Sequence, residues 1–398
     1  MKYDFESVLD RRGKDALAVD APPLLAPVES GFDLIPMWVA DMNFPVCPAI
    51  LQSITQRVQH PSFGYFEPRK EYYEAIIGWQ SKHHGVTGLE PRHIGYENGV
   101  LGGVVSALDA LCSPGDSVLV HSPAYVGFTH ALEDNGYRIV HSPLVQDEQG
   151  VWRMDYADME EKLARHKLHA AILCSPHNPS GRVWERPELE RAMALFQKYN
   201  VYVISDEIWA DIIRPGLRHI PTQSVSADAR ERTVALYAPS KTFNLAGLVG
   251  SYHIIYNDWL LDRVEQNAAR THYNEMNVLS MYGLLGAYSP EGEVWADELR
   301  AVLAANVDYA CDFIVGRFPG IKVSKPQGTY MLFLDCTQWC QDHGKTLDEL
   351  LAAGHRVGVA WQDGRPFHGL CHIRVNLALP LSRVKEALDR LERYVFNR

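Results

Sequence analysis

Short apolar runs alternate with stretches of helical period through the middle of this chain. Ser117-Val118-Leu119-Val120-His121, Ala170-Ala171-Ile172-Leu173-Cys174 and Val201-Tyr202-Val203-Ile204-Ser205 are apolar at nearly every position and too short to be helices. Thr233 to Tyr237 and Tyr252 to Tyr256 continue the series. Between the second and third runs lies Pro187 to Phe196, with a proline near its start and apolar residues at helical spacing. Strands that lack polar alternation must be covered on both faces, so the pattern predicts an α/β fold with a mostly parallel sheet between helices. The last hundred residues read differently. A helical stretch around Trp295 to Phe313 leads to short strands at 321–323, 330–334, 357–360 and 371–377, and an amphipathic helix closes the chain over 382–394. The expected division is an N-terminal segment over 1–49 that joins the smaller domain, a large domain over 50–288 and a small C-terminal domain over 289–398.

Composition narrows the setting. At 398 residues the chain exceeds what one core usually supports, which favours two domains. A hydrophobic share of 46% with 22% charged residues is ordinary for a globular protein, and a net charge of −11 argues against nucleic acid or an anionic membrane as partner. No apolar stretch is long enough to span a bilayer, and Met1 to Glu6 lack the apolar core of a signal peptide. Seven scattered cysteines indicate reduced thiols in the cytoplasm rather than a disulfide framework. Cys336 and Cys340 are closely spaced, but no second pair or histidine cluster completes a metal site, so no metal is expected.

In parallel sheets, ligands bind beyond the carboxyl ends of the strands. Three polar residues fall there in order: Asn178 in Ser175-Pro176-His177-Asn178-Pro179-Ser180-Gly181, Asp206 at the end of Val201 to Asp206, and Lys241 in Ala238-Pro239-Ser240-Lys241-Thr242-Phe243-Asn244. A lysine amine that condenses with an aldehyde, a carboxylate that keeps a pyridine nitrogen protonated and an amide that donates to a ring hydroxyl are the requirements of pyridoxal 5'-phosphate. Each residue has a plainer reading: Asp206 as a helix cap, Asn178 as a turn former, Lys241 as a solvated surface residue. Their convergence is what favours the cofactor. The glycine-rich Glu97 to Gly103, leading into a helical run, offers the amides of Gly99, Val100 and Leu101 to a phosphate, with Ser240 as a hydroxyl donor. Tyr125 follows a strand at the same edge and is either a ring stacked on the pyridine or a core aromatic. Arg374 lies in an apolar strand. There a guanidinium needs a partner, either an internal carboxylate or the α-carboxylate of a substrate.

These segments resemble the fold type I, aspartate aminotransferase-like pyridoxal phosphate enzymes, and within them the MalY/PatB-type cystathionine β-lyase/C–S lyase branch. The resemblance runs almost end to end. It is most branch-specific in Ile35 to Phe44, Phe63-Gly64-Tyr65 and Tyr72 to Ile76, with support from Ser175 to Trp184, Ser205 to Ile208, Ser240 to Asn244 and Ile373 to Asn376. It implies a seven-stranded, mostly parallel sheet in the large domain. It also implies that Lys241 forms the Schiff base, Asp206 meets the pyridine nitrogen, Asn178 holds the ring oxygen, Tyr125 stacks on the ring and Arg374 binds the substrate carboxylate, with Tyr125 and Asn178 also lining the substrate. Tyr65 would reach the phosphate in a neighbouring subunit of a homodimer. Three positions depart from the branch: Asn43 replaces an aspartate, Ala238 a serine that often donates to phosphate, and Trp209 a tyrosine or histidine near the ring oxygen. An indole N–H can donate but never accept.

The activity implied is β-elimination from cystathionine or a cysteine S-conjugate, giving thiol, pyruvate and ammonia. Two alternatives stand beside it. One is an aminotransferase using the same residues; the other is a cofactor-binding scaffold that serves as a regulatory partner. The sequence does not identify the thioether side chain.

Overall fold

The computed structural model describes residues 1–397. The chain divides into two compact units, one of Val46–Asn178 and Arg182–Ala296, the other of Met1–Pro45, Pro179–Gly181 and Asp297 onward. The main divisions fall at 45/46 and 296/297, near the 49/50 and 288/289 expected from the sequence. The second division falls inside the 28-residue helix Pro290–Arg317, and a continuous helix leaves no turn signal there to read.

The larger unit holds strands β1 (Ile94–Asn98), β2 (Ser117–Ser122), β3 (Arg138–Gln146), β4 (Trp152–Met154), β5 (Leu168–Cys174), β6 (Tyr202–Asp206), β7 (Thr233–Tyr237) and β8 (Gly250–Ile254). They form one sheet in the order β1-β8-β7-β6-β5-β2-β3-β4. β3, β2, β5, β6 and β7 are parallel neighbours, while β8 and β4 run antiparallel to theirs. The sheet therefore has eight strands where seven were expected. The additional one, β4, is only three residues long and hangs on the edge through a turn at Asp147 to Gly150, too short to carry a periodic signal.

Side-chain alternation sends each strand into two cores. Val118, Val120, Ile172, Ile204 and Val234 pack against Val104, Ala107 and Leu108 of α3 (Val100–Leu111). Leu119, Ala171, Leu173 and Val203 point the other way, onto Leu189, Ala192, Met193 and Phe196 of α4 (Arg186–Lys198). Pro187 in the first turn and the reciprocal Glu185–Glu188 capping box start α4 where its apolar stripe begins. Each valine, leucine, isoleucine, methionine or phenylalanine among them contributes about 1.5–3 kcal/mol through burial. Two further helices, α1 (Pro48–Val58) and α6 (Val278–Ala287), lie against each other, with the Ser53 hydroxyl donating to the Tyr282 carbonyl at 2.7 Å. Between them stands α2 (Lys70–His84) in chain order after α1, and the short α5 (Ser240–Phe243) precedes α6.

The smaller unit carries an antiparallel sheet of β9 (Lys322–Val323), β10 (Met331–Asp335), β11 (Gln362–Asp363) and β12 (His372–Asn376), in the order β9-β10-β12-β11. Ile35–Pro36 pairs in parallel with Val359–Ala360, which ties the N-terminal segment into this unit. Leu332, Leu334, Ile373 and Val375 face a core shared with Val307, Ile314, Phe318 and Leu350. Among the described residues no helix is long and apolar enough to cross a membrane.

A Cβ built on Gly286 of α6 would sit 2.6 Å from the Ile50 Cα and 2.7 Å from the Ala49 carbonyl oxygen, both backbone atoms that cannot swing aside. Gly286→Ala should therefore destabilise the larger unit by about 1–3 kcal/mol, despite alanine's better helix propensity. Equilibrium urea unfolding checks this; a stabilised variant would show that α1 and α6 can separate without cost.

Candidate active site

The strand order places the polar residues. β2, β5, β6 and β7 lie side by side and parallel, so the segments after their carboxyl ends emerge at one edge of the sheet about 4.8 Å apart. Tyr125 follows β2, Asn178 follows β5, Asp206 ends β6, and Ser240 and Lys241 open α5 after β7. β1 runs antiparallel to β8, as β8 does to β7, so β1 ends at the same edge and delivers Gly99, Val100 and Leu101 there. The topology thus gathers eight positions of sequence-distant origin along a single rim.

Gly99 precedes α3 with φ 75°, a left-handed conformation that favours glycine, and no side chain caps the helix. The first amides of α3 are therefore left for an anion. Tyr125 is half-buried, and its ring covers Gly127: a Cβ there would lie 2.4 Å from Tyr125 Cε1 and 2.8 Å from Leu101 Cδ1. Gly127 thus lets the Tyr125 ring and the first turn of α3 come together, a role its sequence context does not signal.

Asp206 and Glu207 are adjacent, both buried, and differently provided for. Burial alone would raise the Glu207 carboxyl, yet it is held below its ordinary value by His219, Tyr237 and the Thr222 amide. The His219 Nε2 and Tyr237 hydroxyl lie 2.5 Å from Oε2, while the Ser205 hydroxyl and Thr222 N–H reach Oε1 at 2.9 and 3.0 Å. Asp206 is pushed up to about 7 by lost hydration; the Ile208 N–H, 3.0 Å from Oδ1, and the charge of Lys241 draw it down, and Glu207 adds to the rise. Glu207 is thus a satisfied structural carboxylate, whereas Asp206 is a buried acid suited to a cationic partner.

Lys241 sits on α5 with its ammonium 5.8 Å from the centroid of the Trp209 ring. Trp209 is buried, so the residue that departs from the branch packs beneath the lysine with its π face. The next residue, Thr242, anchors α5: its hydroxyl donates to Asp211 Oδ2 at 3.0 Å. Asp211 Oδ1 in turn takes the Trp79 indole N–H at 2.9 Å and lies 3.0 Å from His84 Nε2. Asn178 is buried in the turn after β5. Ala238 is buried, and its side chain carries no donor.

Arg374 belongs to the smaller unit. It is buried in β12, and its Nη2 donates to the Trp38 carbonyl at 3.2 Å and to Gln362 Oε1 at 2.5 Å, with the guanidinium 4.3 Å from the Phe367 ring centroid. Two residues on, the Asn376 amide donates to the carbonyls of Val39 and Asp41, each at 2.7 Å. The branch-specific stretch from Ile35 to Phe44 is therefore laid along the face of β12 that carries Arg374. Arg11 clamps the same stretch through Asp41 at 2.6 Å and Asn43 Oδ1 at 3.1 Å, so Asn43 acts here as a buried acceptor. Gln362, Phe367 and Arg11 have no signal in the sequence, because partners across a sheet or at long range leave no local pattern. Tyr65 does not join these groups within the chain. It is fully exposed on an irregular segment, with Phe63 also exposed nearby.

An amine, a buried acid, an amide, an aromatic ring and a helix start form a set suited to a cationic aromatic aldehyde with a phosphate tail. Residues 33–391 match the aminotransferase class I and II family, and the chain belongs to that family. Within it, the chain is similar to the cystathionine beta-lyase PatB of Bacillus subtilis (strain 168), 33% identical over 363 residues that cover 90% of this chain and 92% of that protein. It is also similar to the protein MalY of Escherichia coli (strain K12), 31% identical over 396 residues with 98% of each covered. Among solved structures, the PLP-bound C–S lyase from Staphylococcus hominis superposes with a TM-score of 0.88 at 30% identity, covering 98% of both chains. The fold expected from the sequence, an aminotransferase-like α/β architecture, is the one observed.

Because its folded-state acidity is weakened, Asp206 binds a proton in the folded protein that the unfolded chain has released. Stability of the ligand-free protein should accordingly fall as pH rises from about 4 to about 7, then level off. Asp206→Asn removes that loss, so the ligand-free variant should melt several degrees above wild type at pH 8 and close to it at pH 4. Thermal melts across that range check the sign; a lower melting temperature for the variant at pH 8 would mean the carboxylate is stabilised in place.

Proposed function

We propose that the protein is a pyridoxal 5'-phosphate-dependent C–S β-lyase that cleaves cystathionine or a cysteine S-conjugate to thiol, pyruvate and ammonia. The observation that carries this reading is similarity over nine-tenths of the chain to a cystathionine β-lyase, together with Asp206 at the end of one strand and Lys241 on the short helix after its parallel neighbour. Pyridoxal phosphate supplies, when bound, an electron sink that acidifies the substrate Cα–H and lets the Cβ–S bond break.

The chain's own residues then divide the work. Lys241 Nζ would hold the cofactor's aldehyde and, when free of it, would take the proton from the substrate Cα. Asp206 would keep the pyridine nitrogen protonated, a role its burial favours because an ion pair there would replace the hydration it has lost. Asn178 would donate to the ring oxygen, and Tyr125 would pack against the ring. The amides of Gly99, Val100 and Leu101, with the Ser240 hydroxyl, would receive the phosphate. Trp209 offers its ring face to the Lys241 ammonium, with the centroid 5.8 Å from Nζ. Arg374 takes the α-carboxylate, which orients the Cα–H bond for removal.

The functional unit is a homodimer in this reading, with Tyr65 donating to the phosphate in the partner's site. Exposure of both Phe63 and Tyr65 on one irregular segment supports a surface that a second copy covers. All seven cysteines are free thiols, which supports a reducing, cytoplasmic setting.

Purified protein given cystathionine should release pyruvate over many turnovers without any added 2-oxo acid. Turnover that stops after one equivalent and resumes only with an oxo acid would make it an aminotransferase instead. Lys241→Ala should lower kcat by about 10²–10⁴-fold while its circular dichroism and melting temperature stay near wild type. Arg374→Lys should raise KM by about tenfold or more with a smaller change in kcat, since an ammonium cannot reproduce the guanidinium fork. An unchanged KM for every amino acid tested would remove Arg374 from substrate binding.

A further inference from the structure

We infer that Glu207, beyond its structural role, is a positioning residue for the cofactor's ring nitrogen: its buried charge on one side of β6 strengthens the hold of Asp206 on a cation at the other. The inference rests on the reading of Asp206 as the pyridine partner and adds the group that makes its site more negative.

The backbone places the two carboxylates together. The Asp206 carbonyl accepts from the Ser175 N–H at 2.9 Å, and the Glu207 N–H donates to the Leu236 carbonyl at 2.9 Å. Both residues therefore stay in the extended run between β5 and β7, and alternation turns their side chains to opposite sides. Glu207 is 1% exposed and Asp206 4%, so little water screens one from the other.

Burial works against the ionised form of Glu207, and His219, Tyr237 and the Thr222 N–H outweigh it. The hydroxyls of Ser205 and Tyr237 and the Thr222 N–H fix the negative charge without cancelling it, while His219 offsets part of it only when protonated. The remainder reaches Asp206. Burial raises that carboxyl first, the Ile208 N–H and Lys241 draw it down, and Glu207 adds to the rise. The other titratable neighbours are Cys174 at the end of β5 beside Asp206 and Tyr252 of β8 beside Glu207. His84, with Asp211 bound to it, lies behind His219.

This arrangement favours one positive charge at Asp206 over none. In the ligand-free protein that charge is a proton; with pyridoxal phosphate bound it is the protonated ring nitrogen. Glutamine at 207 would remove the charge and keep the contacts. Its oxygen can accept from Ser205 and Thr222, and its NH2 can donate to His219 and Tyr237.

The test is the melting temperature of the ligand-free protein against pH, read each time as the difference from the matching Asp206→Asn variant. That difference isolates Asp206 from the titration of Glu207 and His219 themselves. A raised carboxyl contributes stability below its unfolded value, and that stability is lost as pH climbs to its folded value. In wild type the difference should therefore stop growing at about pH 7. In Glu207→Gln it should stop about one pH unit lower. His219→Gln keeps a donor to the carboxylate, so its difference should level off at the wild-type pH or above; it carries the test if Glu207→Gln does not fold. In the loaded enzyme Glu207→Gln should lower kcat by about 3–10-fold with KM within about twofold. A merely structural Glu207 predicts lower melting temperatures at every pH with the levelling point unmoved. That result, a lower levelling point in His219→Gln, or an unchanged kcat in Glu207→Gln overturns the inference. Wild-type turnover in Asp206→Asn would instead reject the pyridine-partner reading, whereas a damaged Asp206→Asn beside an unmoved Glu207→Gln rejects only the role of Glu207.

Discussion

The burial of β5, β6 and β7 on both faces is the constraint from which the rest follows. Helices α3 and α4 cover the sheet, so these strands can carry almost no polar side chain along their length. Polar groups are admitted where the chain leaves the sheet, and parallel pairing brings those exits to a common edge. Asn178, Asp206 and Lys241 are neighbours because their strands are neighbours, although more than sixty positions separate the first from the last. The right to hold a buried acid and an amine side by side is thus a property of the sheet before it is a property of either residue.

At that edge, two consecutive carboxylates show how local surroundings assign roles. Glu207 points into a closed set of donors from Ser205, Thr222, His219 and Tyr237 and is charged, satisfied and structural. Asp206, one residue earlier and on the opposite side of the strand, has lost its water with less in return. Strand alternation alone separates the two. The neighbouring network from Thr242 through Asp211 to Trp79 and His84 performs a related service for the lysine, since it holds the one-turn helix α5 that carries Lys241. A helix of four residues has little stability of its own and depends on such anchors.

The smaller unit solves a different problem, the keeping of an arginine charged inside an apolar sheet. Carbonyls of the Ile35 to Phe44 stretch and the side chains of Gln362 and Phe367 surround β12 with acceptors and a ring face. That stretch has almost no regular secondary structure beyond the Ile35–Pro36 bridge, so its backbone groups are satisfied by Asn376 and Arg11 in place of a ladder. This explains why an irregular segment can be the most distinctive part of the chain: its conformation is dictated by specific side chains, and each must be the right one.

Much of this was legible in the residues themselves. Uninterrupted apolar runs with helical stretches between them determine a covered parallel sheet, and Asn178, Asp206 and Lys241 stand out because each polar residue ends such a run. Arg374 stands out for the opposite reason, as a charge inside one. Other features depended on the fold. The edge strand β4 is too short for any period, the second domain boundary lies inside a continuous helix, and Gly127 matters only because Tyr125 and Leu101 meet above it. The difference between Asp206 and Glu207, the pairing of Gln362 with Arg374 and the packing of Trp209 under Lys241 were decided by tertiary structure alone. Hydration, charge and orientation at a site depend on which atoms surround it, and those atoms come from strands and loops that only the folded chain brings together.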